Sequence, residues 1–175
     1  MLDVLHDWQN FYVLMGGASA TLTGLMFVAV SLGMNLVNDA SEADIHTYVS
    51  PTLFHFVACL LLAGIVLMAG HTPLSFAFLD SALALVGLWK VLGVIRQMQQ
   101  SDHATKAEQI HEDQHWVWHG ILPLVAYALI GLTGIGQALS TSSLLFTGLA
   151  LAEALLLMCA IRNTWLLVLW IARQH

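Results

Sequence analysis

The stretch "FYVLMGGASATLTGLMFVAVSLGMNLV", Phe11 to Val37, decides the fold. It holds 27 residues and no charge. Wound as a helix rising 1.5 Å per residue, it more than crosses a hydrocarbon core about 30 Å thick. Four further apolar segments follow: Pro51 to Gly70, Leu74 to Ile95, Trp116 to Leu139, and Leu144 to Ile161, the last prolonged by "TWLLVLWIA". The chain as a whole is 58% hydrophobic and 9% charged over 175 residues, where a soluble domain carries roughly 25% charge. None of the segments alternates polar with apolar as a membrane barrel requires, so helices must satisfy the backbone in lipid. The expected fold is all-α: one polytopic membrane bundle over residues 1–175, with five transmembrane helices.

The linkers "GHTP" (70–73) and "STSS" (140–143) are tight, so the helices they join form antiparallel hairpins. Pro51 after Ser50 and Pro73 after Thr72 occupy the places of first-turn residues behind an N-cap. Residues 38–50 begin with a capping-box pattern, Ser41 to Asp44, and predict a short acidic helix. Residues 97–115 are polar, with a helix expected from Ser101. Lys90, Arg96, Lys106, Arg162 and Arg173 all fall on one side of a five-span arrangement. The positive-inside rule then orients the chain N-out and C-in. Trp8, Tyr12, Trp89, Trp116, Trp118, Trp165 and Trp170 fall near the expected interfaces, as aromatic belts do. The first ten residues carry Asp3 and Asp7 and no Lys or Arg, the reverse of a secretory signal, so the N-terminus is expected to stay on the mature protein. A net charge of −6 without basic runs excludes nucleic acid as a partner class. Cys59 and Cys159 lie in apolar stretches and read as small buried hydrophobes.

Several polar groups sit where lipid makes them costly. Glu153 lies nine residues into the last segment, about 13 Å deep. A carboxylate near the midplane costs at least about 2.5–3.5 kcal/mol and by default marks an ion or proton path. The alternative is a neutral carboxyl hydrogen-bonded to Tyr127 or Gln137. Asp80 lies about 9 Å in from the outer end, as an outer entrance, or at headgroup level if its helix starts a turn later. His119, Ala126, Ile130, Thr133 and Gln137 share one stripe of the fourth segment, which Pro123 is expected to kink. His55 stands at a depth similar to His119, with Cys59 four residues on. In the first segment Gly17, Ala20, Gly24, Ser31, Asn35 and Asn38 form a narrow stripe. That stripe reads as a helix-packing seam, within one protomer or between protomers of a homo-oligomer, or as a pore-lining face.

"HEDQHWVWH" (111–119) contains H-E-x-x-H and presents His111, His115 and His119 on one helical face. With Glu112 these can hold zinc or another divalent metal. Those first five residues resemble the motif of intramembrane site-2 metalloproteases, which implies a zinc-bound water. The sequence departs from that family elsewhere: the motif stands at the membrane edge, and the nearest acidic motif, "LDS" (79–81), precedes it. A titratable or metal-binding mouth remains open beside it, as does haem ligation by His55 and His119. Trp8, Phe11 and "GGASATLTGLMFVAVSL" (16–32) look like the first helix of small uncharacterised bacterial membrane proteins. That resemblance implies a bacterial inner-membrane location and no settled activity.

The expected function is an oligomeric channel or transporter for a cation, proton or divalent metal. Its path would run through Asp80, Glu153, Gln137, Tyr127, His55 and His119. The alternatives are a non-catalytic scaffold or regulatory subunit, and a metal- or haem-dependent enzyme. The orientation has a direct check: in bacterial cells a C-terminal green fluorescent protein fusion should fluoresce and a C-terminal alkaline phosphatase fusion should stay inactive. The opposite pair of readings overturns C-in.

Overall fold

The computed structural model describes residues 2–36, 42–70, 72–102, 116–140 and 142–173. Among them the chain is helical and contains no strand. Helix α1 spans Leu2–Leu36, α2 Glu42–Leu67 and α3 Pro73–Asp102. Helix α4 begins as a π turn over Val117–Ile121 and continues as an α-helix over Leu122–Leu139, and α5 spans Ser143–Arg173. The five-helix bundle expected from the apolar segments is therefore present, with longer helices than the segments alone suggest. Four helices are long and apolar enough to cross a membrane. The apolar part of α2, Pro51–Leu67, is shorter.

The helix ends follow from local chemistry. At the start of α3 the Ser75 N–H donates to Thr72 Oγ1 (3.2 Å) and the Thr72 N–H donates to Ser75 Oγ (3.0 Å). This is a capping box with Ser in the place of Glu. Pro73 takes the first helical position, where its missing N–H costs nothing. Gly70, at φ 82°, turns the chain out of α2 in the left-handed region that a side chain disfavours. Ser142 caps α5 by accepting the Leu144 N–H at 3.2 Å.

Two expectations need correction here. Pro51 does not open a helix. Helix α2 starts at Glu42 and runs through Pro51, so the separate acidic helix expected upstream is the first part of α2. The apolar segment was expected to reach Gly70, but the helix stops at Leu67 and residues 68–70 form the turn. Proline inside a helix leaves the carbonyl four residues back without its donor, and here the helix tolerates that loss.

Packing places α5 at the centre. It touches α4, α2 and α1, while α1 leans mainly on α2 and α3 on α4. Close approach depends on glycine. Positions along α3 and α4 meet in antiparallel order: Ile95 against Gly120, Ala84 against Gly131, and Asp80 against Gly134. The outside of the bundle is apolar, with Phe27 70%, Phe78 72% and Leu144 77% exposed. Lipid is the solvent that suits such a surface, and small residues at helix contacts then do the work that water-driven burial does in soluble proteins.

Among the described residues the stripe on α1 faces outward rather than into the bundle. Gly17, Ala20, Gly24 and Ser31 are exposed, and a Cβ at Gly17 or Gly24 would meet nothing within 4 Å. Helix α1 instead buries Tyr12, Met15, Ser19 and Met26, a face roughly 120° round the helix from the stripe. The Asn35 side chain and Asn38 lie outside the described residues. Adjacent glycines thus give a paired test. A Cβ at Gly16 would come within 3.0 Å of the Ala63 Cβ. Gly16→Leu should destabilise the protomer by about 1–3 kcal/mol, and Gly17→Leu by less than about 0.5 kcal/mol. Thermal unfolding in detergent can be read by a thiol-reactive dye, because Cys59 and Cys159 are both free and buried. Equal losses in the two variants would refute this packing.

Candidate functional site

Each of the five helices delivers a buried polar side chain to the interior. Asp80 on α3 and Glu153 on α5 are both 0% exposed. Glu153 lies ten residues past the start of α5, about 15 Å in, and Asp80 seven residues past the start of α3, about 10 Å in. Both carboxyls lack a hydrogen-bond partner among the described residues. The two are close enough for Asp80 to bear electrostatically on Glu153. The Asp80 carboxyl fits the notch left by a missing side chain on α4: a Cβ at Gly134 would lie 2.9 Å from Asp80 Oδ2. One turn further out on α4, Gln137 is 1% exposed, and its amide oxygen and nitrogen also lack partners.

These facts decide between alternatives that the sequence left open. Helix α3 starts at Pro73, one residue earlier than the segment suggested, and Asp80 is enclosed by the bundle. The Glu153 carboxyl is not bonded to Tyr127 or Gln137. Tyr12, expected at the interface, is fully buried on the α1 side of this group. Its hydroxyl donates to the Phe146 carbonyl at 3.4 Å, and it lies in electrostatic range of both Glu153 and Asp80.

Toward the inner end the groups continue. Cys59 on α2 reaches the Glu153 backbone carbonyl at 3.7 Å and lies in electrostatic range of Tyr127. Tyr127 and His55 are hydrogen-bonded, hydroxyl to Nδ1, at 3.0 Å. The Tyr127 ring is 0% exposed. It occupies the space a side chain at Gly87 would fill, with Phe54 at 6.1 Å and His55 at 5.8 Å between ring centroids. His119 in turn lies in electrostatic range of His55. The order along the bundle is thus Asp80 with Tyr12, then Glu153, Cys59, Tyr127, His55 and His119. Thr133 is buried but turns its hydroxyl back on its own helix, to the Leu129 and Ile130 carbonyls.

His119 sits in the π turn, which sequence reasoning missed although its cause was in view. Pro123 has no N–H for the carbonyl four residues back, and its ring crowds that carbonyl. One wider turn relieves the clash, and the Leu122 N–H reaches back five residues to the Val117 carbonyl. The kink expected at Pro123 is realised as this turn. Nearby, the Arg162 guanidinium stacks on Trp118 at 4.5 Å, and Lys90 reaches over Phe54 and Trp89 at 5.9 Å each. Asn163, which the sequence reading passed over, is 5% exposed.

Of the expected metal cluster, His111, Glu112 and His115 lie outside the described residues, and His119 alone is placed. Among the described residues no three His, Cys, Asp or Glu side chains converge as metal ligands would.

A buried carboxyl without a partner is a stability cost that the fold carries. Glu153→Gln keeps the shape and removes the ionisable group, so the variant should melt above the wild type at neutral pH, by about 1–3 kcal/mol of stability. Glu153→Ala, which leaves a cavity, should melt below it. A Glu153→Gln protein that unfolds well before the wild type would mean that the carboxyl is structural. No protein-family model, curated protein or solved structure matches the chain.

Proposed function

We propose that this multi-pass membrane protein moves protons or small cations across the bilayer, with Glu153 as the central site. The observation that carries the reading is the pair of fully buried, unpartnered carboxyls, Asp80 and Glu153, near the middle of helices long enough to span. Ionisable groups at that depth are expensive and are found on substrate, ion and proton routes. The buried ionisable groups of the outer half are acidic, which suits a positive species over an anion. In this reading Asp80 and Gln137 form the outer approach, and His55 and His119 the inner one. His111, Glu112 and His115 would extend the inner mouth, where a divalent metal is a further candidate cargo.

A second reading, a scaffold that assembles by α1, draws on the outward stripe of Gly17, Ala20 and Gly24. Small residues facing lipid let a second helix approach closely, so a homo-oligomer fits either reading. The resemblance of the first helix to small bacterial membrane proteins supports an inner-membrane location.

Flux separates the readings. Proteoliposomes holding the wild-type protein should dissipate an imposed proton or cation gradient, and Glu153→Gln should slow this by about tenfold or more. Wild-type vesicles as tight as protein-free ones, or a Glu153→Gln protein as fast as wild type, would sink the transport reading.

A further inference from the structure

We infer that the transported species is the proton, and that the Tyr127–His55 pair is the step that passes it while stopping metal cations. This rests on the reading of Glu153 as the centre of a transport path.

The section of the bundle between Glu153 and the inner end is closed by rings. Tyr127 is fully buried, and its ring fills the gap at Gly87 so completely that a Cβ there would overlap it. Phe54 and His55 pack on the same ring. Among the described residues the Tyr127 phenol oxygen and the His55 Nδ1 are joined to each other here at 3.0 Å. Metal cations hold or demand several oxygen ligands, six to eight for calcium and six for magnesium. A metal cation arriving here would have to break the Tyr127–His55 bond and shed water against the packed rings. A proton needs only a continuous hydrogen bond, and imidazole is the side chain that exchanges protons near neutral pH.

The transfer balances without any other reactant than water. The Tyr127 O–H bond breaks as its proton forms an N–H bond at His55 Nδ1, and the Nε2–H proton leaves toward His119. The phenol oxygen is made whole in the same event by a proton arriving through water from the Glu153 side of the bundle, and Glu153 is reprotonated from the outer side. One proton enters from Glu153, one departs inward, and neither ring keeps a charge. Reorientation of the imidazole then returns a bare nitrogen to the phenol. The titratable groups around the pair are Cys59 on the same helix as His55, Cys159 on α5 and His119 at the start of α4.

Tyr127→Phe keeps the ring that closes the section and removes the hydroxyl that carries the proton. The test compares wild type, Tyr127→Phe and Glu153→Gln in proteoliposomes, each with separate gradients of H⁺, Na⁺, K⁺ and Mg²⁺. Thermal unfolding of Tyr127→Phe by the thiol dye accompanies it, to establish a native fold. The expected result is wild-type flux of H⁺ alone, and a fall of about tenfold or more in Tyr127→Phe with no metal-cation flux gained. Wild-type flux of Na⁺ or K⁺ comparable to H⁺, or undiminished H⁺ flux in natively folded Tyr127→Phe, overturns the inference and leaves Glu153 as the centre if Glu153→Gln is slow. A Glu153→Gln protein as fast as wild type, or no flux in the wild type, overturns both.

Discussion

Two carboxyls are held in the interior of a helix bundle whose outer surface is hydrocarbon-like, and the arrangement of the other helices can be understood from that burden. Asp80 and Glu153 are fully enclosed. Enclosure on this scale needs helices close enough to exclude lipid from around each group. Helix α5, which carries Glu153, is accordingly touched by α1, α2 and α4. Helix α3 is brought against α4 by glycines, and the one at 134 opens the space that the Asp80 carboxyl occupies. A larger residue there would push α3 away and expose the acid to lipid. The glycines on α4 and the acids on α3 and α5 are therefore parts of one constraint.

The same constraint organises the inner half. Gly87 on α3 admits the Tyr127 ring, which brings its hydroxyl to His55 on α2. On α4, Pro123 lies between Tyr127 and the π turn that carries His119, and the wider turn rotates the residues in and before it relative to those after it. Without it, the helical wheel that aligns Tyr127 and Gln137 with the interior would place His119 differently. A proline that weakens the helix thus comes with the wider turn that carries His119.

Much of this was legible in the chain, for reasons that differ by feature. The helices were plain because a charge-free run such as Phe11 to Val37 has one way to exist in lipid. The depth of Glu153 followed from counting residues. Burial of one face of α4 followed from its polar stripe, since Ala126, Ile130, Thr133 and Gln137 are all buried. Helix α1 was harder. It is apolar on every side, so hydrophobicity has no contrast to read, and the small-residue stripe was the feature that stood out. That stripe faces outward, and the helix packs by Tyr12, Met15 and Ser19 instead. Tyr12 near a helix end reads as an interface anchor by type. Only the fold reveals that it lies beneath two acids. The partnership of Tyr127 with His55, 72 positions apart, depends on which helices are neighbours, and a single sequence carries no signal for that.

The motif that draws the eye first, H-E-x-x-H at 111–115, is not where the buried chemistry lies. A metal or catalytic centre needs its groups held by a rigid surround. The bundle encloses polar groups from every helix, among them Tyr12, His55 with Cys59, Asp80, Tyr127 with Gln137, and Glu153. A structural role would leave such groups bonded to each other, as buried polar side chains in lipid-facing bundles are when they act as glue. Here the hydrogen-bonded pair, Tyr127 and His55, stands at one end, and the unbonded acids stand at the other. The proton reading proposed above draws on these two enclosed acids and on the buried Tyr127 ring beside His55.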